Sequence, residues 1–157
     1  MSEAVIVRPA TYEDMECLVG LLETLFSIEE DFVSDEARQR RGLEMMLNNG
    51  RGRVIVAYAP GPTNAVDGTV VGMCSGQLTI STAEGGPAVL IEDVVVHRDW
   101  RGQGIGAKLM AGIAAWAREH KASRLQLLAD VGNTHALDFY AQLGWENTQL
   151  ICLRNRL

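Results

Sequence analysis

The sequence predicts one mixed α/β domain, residues 1–157, in which a glycine-rich turn joins a buried strand to a helix. Its length of 157 residues and hydrophobic content of 47% suit a single domain with one core. Apolar residues recur at helical spacing in some segments and form short β-rich runs in others. Three alternate glycines, Gly102, Gly104 and Gly106, follow one β-rich run and precede a helical pattern.

The chain is predicted to begin with a short strand and an amphipathic helix. The run AVIVRP, residues 4–9, is typical of a strand, and its proline ends it. Thr11 is predicted as a helix N-cap, with Asp14 three residues later as in a capping box. The helix that follows has one apolar stripe, at Met15, Leu18, Leu22 and Leu25.

The remaining elements are predicted from the same two periodicities. A second helix begins at Ser34, with Asp35 and Glu36 in its first turn, where acidic side chains favour the helix dipole. Four strands are predicted, at 53–59, 69–80, 88–96 and 124–129. Two further helices are predicted, at 105–120 and 133–143. The C-terminal run WENTQLICLRNRL is predicted to supply one or two final strands.

The segment HRDWRGQGIGAKLM, residues 97–110, indicates what the protein binds. A helix N-terminus presents unpaired N–H groups and a partial positive charge, so anions bind there. Glycines remove the Cβ atoms that would hold a diphosphate away from those amides. Arg101 adds formal positive charge at the start of the turn. The segment therefore predicts a diphosphate-binding turn.

Spacing excludes two common nucleotide-binding motifs. A P-loop requires G-x-x-x-x-G-K-[ST], but here Gly106 is followed by Ala107, Lys108 and Leu109. The dinucleotide fingerprint requires G-x-G-x-x-G and an acidic residue about 20 positions later. Here the spacing is G-x-G-x-G, and the following strand SRLQLL has no acidic residue.

Two motifs instead resemble those of one enzyme family. Residues 101–106, RGQGIG, match the pattern R/Q-x-x-G-x-G/A, and VVVHRDW before them is similar to its usual entry, although Arg98 stands where proline is common. The pattern N-x-x-A-x-x-F-Y-x-x-L-G-F/W is matched by Asn133, Ala136, Phe139, Tyr140, Leu143, Gly144 and Trp145. On these motifs the whole chain resembles the GNAT superfamily of acetyl-CoA-dependent N-acetyltransferases. The resemblance implies a mostly antiparallel central sheet flanked by helices, with a splayed pair of parallel strands that holds coenzyme A.

The resemblance also implies roles for individual residues. Asn133 contacts the coenzyme arm as well as capping its helix. Tyr140, placed early in that helix, donates a proton to the leaving thiolate. The main chain of one strand pairs with the pantetheine amides, at Val94, Val95 and Val96. The turn amides hold the pyrophosphate, at Arg101, Gly102, Gln103, Gly104, Ile105 and Gly106.

The group that accepts a proton from the attacking amine has three candidates. An alkyl amine with a pKa near 10.4 is almost wholly protonated at pH 7, so some group must accept a proton. Regular alternation places Glu92 with Val94 and Val96 and predicts that only one of Glu92 and Asp93 enters the site, although a bulge would swap the faces. Similarity to polyamine-type enzymes favours Glu92, directly or through a water. Asp93, or substrate and solvent alone, are the alternatives.

Two classes of function remain open. The first is an enzyme that transfers acetyl to a primary amine by direct attack in a ternary complex, and the second is a non-catalytic acyl-CoA-binding or sensing module. By resemblance, Glu29, Glu30 and Asp31 wall the acceptor site, where acidic groups would suit a polyamine, an aminoglycoside or a lysine-like amine. IEDVVV with WRGQGIG is similar to the diamine and thialysine acetyltransferases. Peptide N-termini and free amino acids are further candidates.

Composition limits the classes of partner that the protein is expected to bind. The net charge of −6 argues against a nucleic-acid partner, and no apolar run approaches the roughly 20 residues that span a bilayer. The first residues, MSEAVIVRP, do not resemble a secretory signal, so we expect a cytoplasmic protein. The spacing of the cysteines and histidines predicts no metal site. We also expect a homodimer.

Overall fold

The computed structural model describes residues 4–28, 33–61 and 68–157, which contain a five-stranded sheet and four α-helices. The sheet confirms the predicted α/β class, with antiparallel pairing from the first strand to the fourth and a parallel last pair. The strands lie side by side in chain order: β1 (Ile6–Pro9), β2 (Gly52–Ala59), β3 (Thr69–Ser81), β4 (Gly86–Val96) and β5 (Leu125–Leu127). The helices are α1 (Met15–Ile28), α2 (Glu36–Leu47), α3 (Ile105–Glu119) and α4 (Thr134–Gln142).

Helices cover both faces of the sheet. On one face, buried residues of α1 and α2 form a core with strand residues that include Val56, Met73 and Val95. On the other face, α3 lies so close that a Cβ added to Gly76 would stand 3.0 Å from the Cδ1 atom of Ile113. The predicted apolar stripe of α3 is buried, as Ile105, Leu109, Ile113 and Trp116. Burial of this stripe holds the N-terminus of α3 at the sheet.

Local hydrogen bonds cap the 3-10 turn Tyr12–Asp14, which leads into α1, and the start of α2. The Thr11 amide donates to Asp14 Oδ2 at 2.8 Å, as the predicted capping box requires. The second helix begins one residue later than predicted, because Asp35 rather than Ser34 is its N-cap. The Asp35 carboxylate accepts the backbone N–H of Arg38 at 3.1 Å.

The chain divides into two compact units, Met1–Gln126 and Leu127–Leu157. The first unit contains α1 to α3 and nearly all of the sheet. The second unit contains α4 and the C-terminal segment. Residues 145–157 contain no strand, so the predicted final strands are wrong. Their sequence has strand-like apolar residues, but a strand also requires a hydrogen-bonding partner, which the pattern does not supply.

Candidate acetyl-CoA site

The predicted catalytic carboxylates lie at a β-bulge in β4. Ser75 of β3 pairs with Glu92, whereas Met73 pairs with Val95, so β4 has one more residue than β3 between the two pairs. Within this interval Asp93 has φ = 51°, a left-handed conformation that few non-glycine residues adopt. A bulge of this kind re-aims the side chains that follow it.

The bulge changes the face on which Glu92 lies. Directly paired residues of neighbouring strands share a face, so Glu92 lies on the face of Ser75, and Val95 on that of Met73. Ser75 and Met73 are two residues apart and share the α1 and α2 face. Of the two predicted alternatives, regular alternation and a bulge that swaps the faces, the structure has the bulge, because the extra residue reverses the alternation.

Asp93 also reaches this face. Its Oδ2 atom lies 3.3 Å from the Oγ atom of Ser75, and the same hydroxyl is 3.1 Å from the carbonyl oxygen of Glu92. Asp93 is half-buried, whereas Glu92 is exposed. The bulge therefore places two successive acidic residues on one side of β4, and which of them enters the acceptor site stays a prediction.

Hydrogen bonds hold the turn that leaves β4. The His97 amide donates to the carbonyl of Val71 at 2.8 Å and extends the pairing with β3. A short 3-10 turn, Arg98–Trp100, follows. The Nε atom of Arg101 then donates to the carbonyl of Val96 at 3.0 Å. This contact fixes the arginine next to the end of β4.

The three glycines of the turn differ in backbone conformation. Gly102 and Gly104 have φ values of 75° and 77°, and a Cβ on either would meet open space. Gly104 is the N-cap of α3 and makes no side-chain cap. The first α-helical bond runs from Lys108 N to Gly104 O at 3.2 Å, so the amides before Lys108 are first-turn donors. Gly106 lies inside α3.

These features fit a diphosphate group. Open space over the glycines, the start of a 15-residue helix and a fixed guanidinium supply room, directed N–H donors and positive charge. No group of three or more histidine, cysteine, aspartate or glutamate side chains within the described ranges could hold a metal ion.

The other two predicted residues lie in the second unit. Asn133 caps α4, since its Oδ1 atom accepts the amide of Ala136 at 3.1 Å. Tyr140 is the seventh residue of the nine-residue α4, so its predicted place early in the helix is wrong. Its carbonyl accepts the amide of Trp145 at 3.0 Å, and Gly144, with φ = 89°, donates to Ala141. This Schellman motif brings the rings of Tyr140 and Trp145 into a tilted contact, with their centroids 5.7 Å apart.

The acidic residues predicted for the acceptor site are not among the residues that the structure describes. Glu29, Glu30 and Asp31 lie outside the described residues, between the end of α1 at Ile28 and residue 33. Ser75, which contacts the bulge, was not predicted. Its only sequence signal is a polar residue within the apolar run of β3.

The chain matches a family model. Residues 21–145 match the model described as "Acetyltransferase (GNAT) family". This span includes the bulge, the glycine turn and the Asn133–Trp145 motif.

Similar proteins agree with the family match. N-alpha-acetyltransferase 80 of Mus musculus is 36% identical over 93 residues, and a thialysine N-epsilon-acetyltransferase of Bos taurus is 37% identical over 59. Those matches cover 59% and 38% of this chain but only 27% and 35% of the two relatives. An aminoglycoside N(6')-acetyltransferase of Stenotrophomonas maltophilia is 25% identical over 96% of this chain and 92% of its own length.

The fold is also found among solved structures. A structure described as a transcriptional regulator from Bacillus halodurans C-125 superposes with a TM-score of 0.81 and 27% identity. The superposition covers 98% of this chain and all of that one.

Proposed function

Because the chain belongs to the acetyltransferase (GNAT) family, we propose that it is an enzyme that transfers acetyl from acetyl-CoA to a primary amine. The observation that carries this proposal is the bulged end of β4, which leads through Arg101 and the glycine turn into α3. Acetyl-CoA supplies the acetyl group as an activated thioester. In direct attack the amine nitrogen forms the C–N bond, the C–S bond breaks, and coenzyme A leaves as a thiolate.

We assign the coenzyme to main-chain groups of residues 94–106, and we propose that Asn133 contacts the coenzyme arm. The amides of residues 101–106 bind the diphosphate, supported by the left-handed glycines and the fixed Arg101. The main chain of Val94, Val95 and Val96 pairs with pantetheine in the manner of an added strand. We propose that β4 and β5 splay beyond the bulge to admit this arm.

Glu92 is the proposed proton acceptor. It is exposed and lies directly before the bulge, so an incoming amine or a bridging water can reach its carboxylate. Asp93 is the second candidate, but its Oδ2 atom already lies against the Ser75 hydroxyl. Tyr140 donates the proton that the coenzyme A thiolate requires, since a phenol remains protonated at pH 7.

A pH profile tests the assignment of the base. Glu92→Gln should lose kcat most near neutral pH and recover as rising pH deprotonates the amine without help, whereas Asp93→Asn should keep the wild-type profile. Initial rates between pH 6 and 10 with one acceptor measure both variants. Equal profiles for wild type and Glu92→Gln would exclude the role.

We propose a small cationic amine as the acceptor. Two relatives, an aminoglycoside and a thialysine acetyltransferase, are named for amines of this kind. A net charge of −6 attracts cations, and Glu29, Glu30 and Asp31 are the acidic groups we assign to the acceptor site. Peptide N-termini are the competing class, in keeping with the name of the mouse relative.

One assay separates the enzyme from a binding module. The purified protein is incubated with acetyl-CoA and spermidine, an aminoglycoside, thialysine, free amino acids or short peptides, and both thiol release and the acetylated product are measured. Turnover with an amine supports the enzyme. Acetyl-CoA binding without turnover on any acceptor would support the sensing module, a class in keeping with the description of the Bacillus halodurans structure.

We further propose a cytoplasmic homodimer that needs neither a nucleic acid nor a membrane. The free cysteines Cys17, Cys74 and Cys152 suit a reducing compartment, and no described helix is long and apolar enough to cross a membrane. Exposed apolar side chains in the C-terminal segment, Leu150, Ile151 and Leu153, support association of two copies. Light scattering at several protein concentrations tests this, and a monomer at all of them would refute it.

A further inference from the structure

Asp93 has a left-handed backbone conformation that an aspartate rarely adopts within a strand. Asp93 and Lys121 are the two non-glycine residues with positive φ in the described part of the chain. Lys121 follows the end of α3, where its amide donates to the carbonyl of Arg118 and that of Ala122 to the carbonyl of Ala117. This is the usual left-handed end of a helix. Asp93 instead lies in the middle of a strand, where surrounding contacts must hold it.

Ser75 supplies such contacts from the neighbouring strand. Its side chain is buried, with the residue 5% exposed, and it stands directly across from Glu92. Its Oγ atom lies 3.1 Å from the Glu92 carbonyl oxygen and 3.3 Å from the Asp93 carboxylate. One hydroxyl thus touches the main chain before the bulge and the side chain at the bulge.

This position couples Ser75 to the proposed chemistry. The backbone direction at Asp93 sets where the N–H and C=O groups of Val94–Val96 point, because a left-handed residue rotates the chain that follows it. It also sets where the carboxylates of Glu92 and Asp93 lie relative to those groups. A small rotation here would misplace the pantetheine pairing and the base together.

We propose that Ser75 is a positioning residue, whose hydroxyl holds the β4 bulge in the conformation that acetyl-CoA binding and acetyl transfer require. The inference rests on the proposed function. It assigns to Ser75 no contact with substrate and no proton transfer.

Ser81 provides a matched control. It is also a buried serine of β3, at 8% exposure, and its hydroxyl accepts from Arg124 and from the Glu84 amide, away from the bulge. Replacing either serine by alanine therefore removes a buried hydroxyl from the same strand. Only Ser75→Ala removes one from the bulge.

The test compares wild type with Ser75→Ala, Ser75→Thr and Ser81→Ala in thermal unfolding, acetyl-CoA affinity and steady-state kinetics. We expect Ser75→Ala to lower kcat/KM by about tenfold, through weaker acetyl-CoA binding and slower turnover together. Ser75→Thr, which keeps the hydroxyl, should recover most of this loss, and Ser81→Ala should lose stability without losing activity.

If wild type binds and turns over acetyl-CoA but Ser75→Ala matches it, the positioning role is overturned. Equal losses in Ser75→Ala and Ser81→Ala would also overturn it. A wild type that neither binds nor consumes acetyl-CoA would overturn the proposed function itself.

Discussion

Gly104 serves the backbone and the proposed ligand at the same time. Its φ of 77° favours glycine, and the open space above it leaves room for a diphosphate. Gly85, in the turn between β3 and β4, has φ = 72° and equally open space but lies outside the proposed site. The pair can therefore separate backbone strain from loss of binding.

We predict that Gly104→Ala and Gly85→Ala each lower the free energy of unfolding by about 1 kcal/mol, because alanine resists the left-handed conformation. Only Gly104→Ala should also weaken acetyl-CoA binding. Chemical denaturation measures the first effect, and calorimetric titration measures the second. Equal acetyl-CoA affinities in the two variants would argue against a diphosphate over this turn.

The proposed role of Tyr140 as proton donor can be tested by removing its hydroxyl oxygen. The Schellman motif and the ring contacts with Phe139 and Trp145 hold its side chain, and phenylalanine keeps the ring that makes them. We predict that Tyr140→Phe lowers kcat while acetyl-CoA affinity stays close to wild type, since only the proton donor is lost. Tyr12→Phe, at an exposed tyrosine, is the control. Wild-type turnover in Tyr140→Phe would refute the acid role.

The junction of β1 and α1 depends on one carboxylate. Asp14 accepts two hydrogen bonds from the Arg8 guanidinium, at 2.8 and 2.9 Å, and one from the Thr11 amide. Burial alone would raise the pKa of Asp14, but the hydrogen bonds from Arg8 and Thr11 outweigh it and lower that pKa. A lowered pKa stabilises the fold above about pH 4, and this contribution is lost as pH falls through the folded-state value.

We predict that Asp14→Asn lowers the free energy of unfolding at pH 7 by about 1–3 kcal/mol and makes stability less sensitive to acid below pH 4. Glu16→Gln, which breaks an exposed pair with Arg40, should cost less. Urea unfolding from pH 3 to pH 7 measures both. An unchanged acid limb in Asp14→Asn would contradict the assignment.

Elements defined by local chemistry could be predicted from the sequence, and those defined by distant partners could not. The α3 stripe, the Thr11–Asp14 box and the Gly144 helix end follow from residue types at fixed short spacings. For the bulge, IEDVVV alone leaves two alternatives open, because the hydroxyl that contacts Asp93 lies 18 residues away. The prediction of final strands at 145–157 was wrong for the same reason, since apolar alternation cannot reveal whether a partner strand is present.

The sequence motifs that the chain shares with its family are divided between the two compact units. The bulge and the glycine turn belong to Met1–Gln126, whereas Asn133 and Tyr140 belong to Leu127–Leu157. The family match extends across both units, from residue 21 to residue 145. Every proposed catalytic role therefore rests on acetyl-CoA binding through the turn.

The most direct test is a calorimetric titration of acetyl-CoA into wild type, Gly106→Val and Gly20→Val. Gly106 lies inside α3, so valine there imposes no left-handed strain but places a branched side chain among the first-turn amides. Gly20 is an exposed glycine of α1 with open space around its Cβ position and serves as the helical control. We predict that wild type and Gly20→Val bind acetyl-CoA alike and that Gly106→Val binds it at least about tenfold more weakly. Undiminished affinity in a folded Gly106→Val, or no binding by wild type, would contradict the binding of acetyl-CoA at this turn.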